Sequence, residues 1–235
     1  MDNKEINEEI IAIWDEHFSG DEKIMAPLLY QATDKHTILF VGFNPSLNLS
    51  ELKSLSGINN TKDFFLWKNF SKEKIDTFIS IEQKAIQSYG RYFNKIEHIA
   101  KATKNKWQHI DLFPIRNTKQ RETLKYVFAD NKKLILNDFA KKCLRVFEKL
   151  TAKCSPKMII VINALSSRII QKHFADKINS KRYDDLGYDL ITINNDCIPI
   201  IFSGMISGQR ALDNDSLKRL IWITKKADKY AKTST

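Results

Sequence analysis

The sequence predicts an α/β fold, three layers deep, around a central and mostly parallel sheet. Three observations predict it. Apolar runs of strand length occur at residues 37–42, 106–116, 157–164, 188–193 and 198–204. Segments with apolar residues at helical spacing are interspersed among them. The strongest runs are continuously apolar, as strands buried on both faces are. Strand and helix patterns that alternate along a chain build parallel sheets covered by helices.

The elements follow in order. Residues 4–18 place Ile6, Ile10, Ile13, Trp14 and His17 on one helical face. Residues 37–42 form the first strand, which ends at Gly42 and an Asn-Pro turn. The cluster "DFFLWKNF" at 63–70 carries too many apolar residues for an ordinary loop, so it is core packing or an exposed binding surface. Residues 89–103 form a helix through Phe93, Ile96 and Ile99. "KWQHIDLFPIR" is a second strand ending at Pro114. Residues 131–150 are expected as one long helix through Leu134, Phe139, Cys143, Phe147 and Leu150. "KMIIVINA" is a third strand with a helix, 165–175, directly behind it. "YDLITI" and "IPIIFSG" are the fourth and fifth strands around an "NNDC" turn, and a last helix starts near Asp213, which can cap it.

The chain has 235 residues, enough for a sizeable core, and no Pro-, Gly- or Ser-rich linker interrupts it. A single domain spanning 1–235 with an N-terminal helical extension is expected, and a monomer. The N-terminus "MDNKEINEEI" is acidic and polar, which fits neither a signal nor a transit peptide, and no apolar run reaches membrane-spanning length. Cys143, Cys154 and Cys197 are odd in number and widely spaced, arguing for a reducing compartment. A cytoplasmic protein without membrane contact, metal or cofactor is expected. The net charge of +10 suits a polyanionic partner or a lysine-rich solvated surface.

In parallel sheets ligands bind beyond the C-terminal strand ends. Four such ends are polar here: "GFNPS", "HIDLFP", "INALSS" and "FSGMISGQR". With "YGRYFNKI" at 89–96 they resemble, in order and spacing, the motif set of the uracil-DNA glycosylase superfamily. Gly42-Phe43-Asn44-Pro45-Ser46 resembles the Gly-x-Asn-Pro-Gly motif of its mismatch-specific and single-strand-selective branches. Ile110-Asp111-Leu112-Phe113-Pro114 sits where that family has a strand ending in a base-reading Asn, and "IIFSGMISGQRALD" where it has a His-Pro-Ser loop. The resemblance covers roughly residues 36–225. It implies a glycosylase-like fold, DNA, single- or double-stranded, as partner, and hydrolysis of the N-glycosidic bond of a deaminated or modified base. A catalytically silent nucleic-acid-binding protein of the same fold is the alternative, and a serine hydrolase lacks its Gly-x-Ser-x-Gly elbow.

By the same resemblance Asn44 positions the attacking water, which an amide can orient but not deprotonate. Gly42, Phe43, Asp111, Phe113 and Tyr89 or Tyr92 wall the base pocket. His109 shares a strand face with Asp111 and is a donor there or a satisfied core group. Pro45, Ser46, Arg91, Ser207, Gly208, Gln209 and Arg210 are expected at the nucleic acid. Two departures matter. An ionised Asp111 accepts hydrogen bonds only, so it disfavours a uracil carbonyl unless protonated. No His lies between Cys197 and Arg210, so Ser203 or a backbone N–H of Gly204–Gly208 is expected to stabilise the departing base. Asn44 and Asp111 also have plain readings, as residues satisfying their own turns.

Overall fold

Four consecutive residues, Ile38 to Val41, have no exposed surface, and they form the first strand of the sheet. The computed structural model describes residues 2–46, 48–88, 90–180, 184–206 and 211–233. In chain order the elements are α1 (Lys4–Phe18), β1 (Ile38–Gly42), α2 (Leu49–Ser56), α3 (Thr61–Phe65), α4 (Ile75–Ser88), α5 (Gly90–Lys101), β2 (Trp107–Asp111), α6 (Gln120–Val127), β3 (Phe128–Asp130) and β4 (Ile135–Leu136). They continue as α7 (Asp138–Cys154), β5 (Met158–Val161), α8 (Ala164–His173), β6 (Ile178–Asn179), β7 (Asp189–Ile193), β8 (Asp196–Phe202) and α9 (Asn214–Thr233). The fold is mixed α/β with a six-stranded, mostly parallel sheet ordered β2-β1-β5-β8-β7-β6. Contacts divide the chain into two compact units. One comprises Met1–Thr33, Asn44–Gly90 and Asp111–Lys149; the other comprises Asp34–Phe43, Arg91–Ile110 and Leu150–Thr235.

The second unit carries the sheet. β1 pairs in parallel with β5, Phe40 opposite Ile160, and β5 with β8, Ile160 opposite Ile201. β7 runs against β8 and β6. The β7–β8 hairpin closes through Asn194 and Asn195, at φ 51° and 70°. A two-residue hairpin turn of this hand needs both central residues left-handed, and asparagine tolerates that conformation. Ile38, Phe40, Met158, Ile160 and Ile162 alternate onto one sheet face. There they meet Ile96 and Ile99 of α5 and Leu220 and Ala227 of α9. Asp228 of α9 accepts from Lys157 Nζ (2.8 Å), Lys232 Nζ (2.7 Å) and Asn105 Nδ2 (2.8 Å), pinning the helix to the start of β5. The expected cap is present: Asp213 Oδ1 accepts from the backbone N–H groups of Asp215 and Ser216 at 2.9 and 2.8 Å.

The first unit is built on aromatic contacts. Trp14 and Phe18 of α1 meet Phe139 of α7 edge-on at 5.2 and 5.0 Å. The "DFFLWKNF" segment is core packing. Phe65 is fully buried, and Phe64 and Phe65 contact Phe78 of α4 at 5.0 and 4.9 Å. Asn7 is buried on α1 and mimics a backbone partner. Its Nδ2 donates to Tyr30 O and its Oδ1 accepts from Tyr30 N, both at 2.9 Å. Asn7→Ala is expected to cost about 2 kcal/mol in urea denaturation, because a buried N–H and C=O lose their partners together.

One expected helix is corrected. Residues 131–150 do not form a single helix, because β3 and β4 pair antiparallel around a turn at Asn131–Leu134. Leu134 sits at φ 51° within it, which no helix contains. The helix begins at Asp138, where Asn137 Oδ1 caps it by accepting from Ala140 N at 2.9 Å. The second strand is also shorter than expected, ending at Asp111, so Phe113 and Pro114 lie in the following loop. Among the described residues no helix is long and apolar enough to cross a membrane.

Candidate functional site

The chain leaves β1 through the buried Phe43 and reaches Asn44, which is half-buried in the first unit. Asn44 Nδ2 lies 2.8 Å from Asn117 O, 3.1 Å from Pro45 O and 3.3 Å from Ile115 O. Asn117 N donates in turn to Pro45 O at 3.0 Å. The side chain thus clasps the loop after β1 to the loop after β2. Three carbonyls around one nitrogen fix which end of the amide is which. Asn44 Oδ1 has no hydrogen-bond partner among the described residues, so the amide keeps one acceptor to offer. Ser46 beside it is exposed.

Asp111 closes β2 and is only 4% exposed. Its backbone carbonyl accepts from Tyr30 Oη at 3.3 Å. Burial pushes its carboxyl up to about 8; the Glu82 carboxylate adds to the rise and Arg116 opposes it. At neutral pH this group is therefore protonated, and a protonated carboxyl has one O–H donor and one acceptor oxygen, as an amide has a donor and an acceptor.

Arg116 is buried and pairs with Glu82. Its Nε donates to Ala26 O at 3.1 Å and its Nη2 to Pro27 O at 3.3 Å. Its guanidinium lies 5.1 Å from the centre of the Phe65 ring. Tyr30, Glu82 and Arg116 went unselected from the sequence. The signal for Arg116 was a cation just behind the apolar "DLFPI" run; nothing local pointed to Tyr30 or Glu82. Phe113 is fully buried in this unit.

The second unit holds the other strand ends. His109 Nε2 shares a 3.1 Å hydrogen bond with Tyr92 Oη, and its ring is flanked edge-on by Tyr92 and Phe93 at 5.5 and 5.6 Å. Burial lowers its pKa to about 4, so the imidazole is neutral. Gly42 O accepts from Ser166 Oγ at 3.0 Å. Asn163 caps α8, its Oδ1 accepting from Leu165 N and Ser166 N at 2.9 and 3.2 Å. Ser203 is half-buried after β8; its N donates to Val161 O at 2.9 Å, and its carbonyl accepts from Ser167 Oγ at 3.4 Å. A Cβ on Gly204 would approach Leu212 Cδ2 to 3.3 Å, so the start of this loop is tightly packed. Tyr89, Ser207, Gly208, Gln209, Arg210 and the side chain of Arg91 lie outside the described residues.

Among the described residues one trio has metal-ligand spacing: Glu16, His17 and Asp138. Lys142 already sits on it, paired with Glu16 and 3.3 Å from Asp138, so an ammonium supplies the positive charge there. The chain matches no protein-family model, and no curated protein matches it significantly in sequence.

Proposed function

We propose that this protein is a DNA glycosylase that hydrolyses the N-glycosidic bond of a deaminated or modified base. The observation that carries the reading is the orientation of Asn44. Its NH₂ group is committed to three carbonyls. Its Oδ1 is therefore the atom available to hold a water against the sugar. An amide cannot take that water's proton at neutral pH, so bond breaking runs ahead of water attack. Stabilising the departing base anion then carries most of the catalysis. A neutral Asp111 supports this role, since its O–H donates to a base oxygen as charge develops there. Protonation also removes the objection to uracil. The base must leave the stack to be read, at a cost of about a few kcal/mol.

A second reading keeps the nucleic acid and drops the chemistry. It is favoured by the loop after β8, where no His lies between Cys197 and Arg210. Loss of one such donor costs on the order of a hundredfold in rate.

The test is base release from oligonucleotides carrying uracil, hypoxanthine, a methylated base or a mismatch, each single- and double-stranded, scored as alkali-labile abasic sites. Release is expected from at least one substrate. Asn44→Ala should lower it by about a hundredfold or more, and Asp111→Asn should retain it, because an amide reproduces the donor and acceptor of the neutral acid. A folded Asn44→Ala protein that releases base at the parent rate removes the catalytic reading. Binding without release from any substrate leaves the silent reader.

A further inference from the structure

The last helix has two faces of opposite character. Leu220, Thr224, Ala227 and Asp228 are buried against the second unit. The outer face carries Lys218, Arg219, Trp222, Lys225, Lys226 and Lys229. At about 100° per residue these six fall within roughly 60° either side of Trp222. Trp222 is 52% exposed, whereas Trp14 and Trp67 are buried. Lys226 Nζ stands 3.8 Å from the centre of the Trp222 ring.

Five cations on one stripe repel one another unless an anion neutralises them. Asp215 pairs with Lys218 at 3.0 Å. Among the described residues Arg219, Lys225 and Lys226 have no carboxylate partner. The stripe is held in place, because Asp228 on the inner face is bound by Lys157, Lys232 and Asn105. From Lys218 to Lys229 it runs about 16 Å at about 1.5 Å per residue, the length of about five stacked nucleotides. Cations around one half-exposed aromatic ring are what a single strand uses: phosphates for the charges and a base for the ring face that Lys226 does not cover.

We infer that the outer face of α9 binds single-stranded nucleic acid, with a base stacked on Trp222 and phosphates paired to Lys218, Arg219, Lys225, Lys226 and Lys229. An anionic membrane fits less well. A helix lying in a lipid interface inserts an apolar face, and the apolar face of α9 is used in the protein core. The stripe stands apart from base release and does not depend on it, since a protein that cleaves nothing still binds through it.

The test titrates the full-length protein with an oligo-dT of about 20 nucleotides, following tryptophan emission and the anisotropy of the labelled strand. Binding should quench the emission. Trp222→Ala should weaken affinity on the order of tenfold. Arg219→Glu with Lys225→Glu should weaken it further and flatten the slope of log affinity against log salt by about 1.4, at about 0.7 per phosphate lost. Both variants change exposed side chains only, and equal thermal unfolding confirms that they fold. The inference is overturned by unchanged affinity and salt slope in both variants, or by absence of oligonucleotide binding at low salt. Binding confined to phosphatidylserine vesicles also overturns it, as does tighter binding to a duplex that ignores Trp222→Ala.

Discussion

Asp111→Asn is expected to gain about 5 kcal/mol of stability over the parent protein between about pH 4 and pH 9. The sign follows from which state holds the proton. The folded carboxyl titrates at about 8 and is held up chiefly by burial; in the unfolded chain it titrates near its ordinary 3.8. Between those values the folded protein binds one proton more than the unfolded chain. Raising the pH therefore favours unfolding by about 1.4 kcal/mol per pH unit. The stability that Asp111 contributes is whole below about 3.8 and lost as pH rises through 8. An asparagine has no proton to lose, so the difference between variant and parent should widen across this window and level off above it. His109 works the other way. Its folded pKa is near 4, so its contribution is whole above about 6.5 and falls away as pH drops through 4. Freed of Asp111, the variant should gain stability from about pH 4 to 6.5 where the parent stays nearly flat. Urea denaturation across pH, parent against variant, reads both limbs. A difference that does not change with pH would mean that Asp111 is ionised in the folded protein. The same ionisation should also switch off base release by the parent above about pH 8, and not by Asp111→Asn.

These two titrations mark where sequence reasoning ran out. The strand ends followed from local pattern. Ile38–Val41 reads as a strand buried on both faces, so the polar residue just past its end was conspicuous, and Asn44 does sit at a junction of loops. The hairpin at Asn194–Asn195 and the Asp213 cap are equally local, each specified within a few residues. What the pattern did not contain was partnership across the chain. Nothing near Asn44 indicates that its NH₂ goes to Ile115 and Asn117, and that assignment leaves Oδ1 as the end of the amide without a partner among the described residues. Nothing near Asp111 indicates Glu82, whose carboxylate adds to the rise in its pKa. The 131–150 segment failed for another reason. Leu134 stands five residues before Phe139 in the apolar pattern, but its left-handed backbone and the Asn137 cap place it outside the helix. Periodicity records which residues are apolar and leaves backbone sign unstated.

Arg116→Met is expected to cost about 3–5 kcal/mol, the usual loss when one member of a buried ion pair is removed. The substitution keeps most of the apolar stem over Phe65 and takes away the charge and every donor. Three acceptors lose partners at once: the Glu82 carboxylate, Ala26 O and Pro27 O. Glu82→Gln should cost less, since the amide still accepts from the guanidinium and both carbonyls stay bound. Adding Glu82→Gln to Arg116→Met should therefore recover part of the loss, and a double-mutant cycle would measure the coupling. The two single variants separate most sharply through Asp111. Glu82 raises its pKa and Arg116 lowers it, so Glu82→Gln should move the Asp111 limb of the pH–stability curve to lower pH, and Arg116→Met should move it to higher pH. Opposite displacements of one titration by the two halves of one ion pair would place Glu82, Arg116 and Asp111 in a single electrostatic unit behind the β2 end. Two variants that lose stability by the same amount at every pH would show instead that Arg116 acts only as a tie between backbone carbonyls and the Glu82 carboxylate.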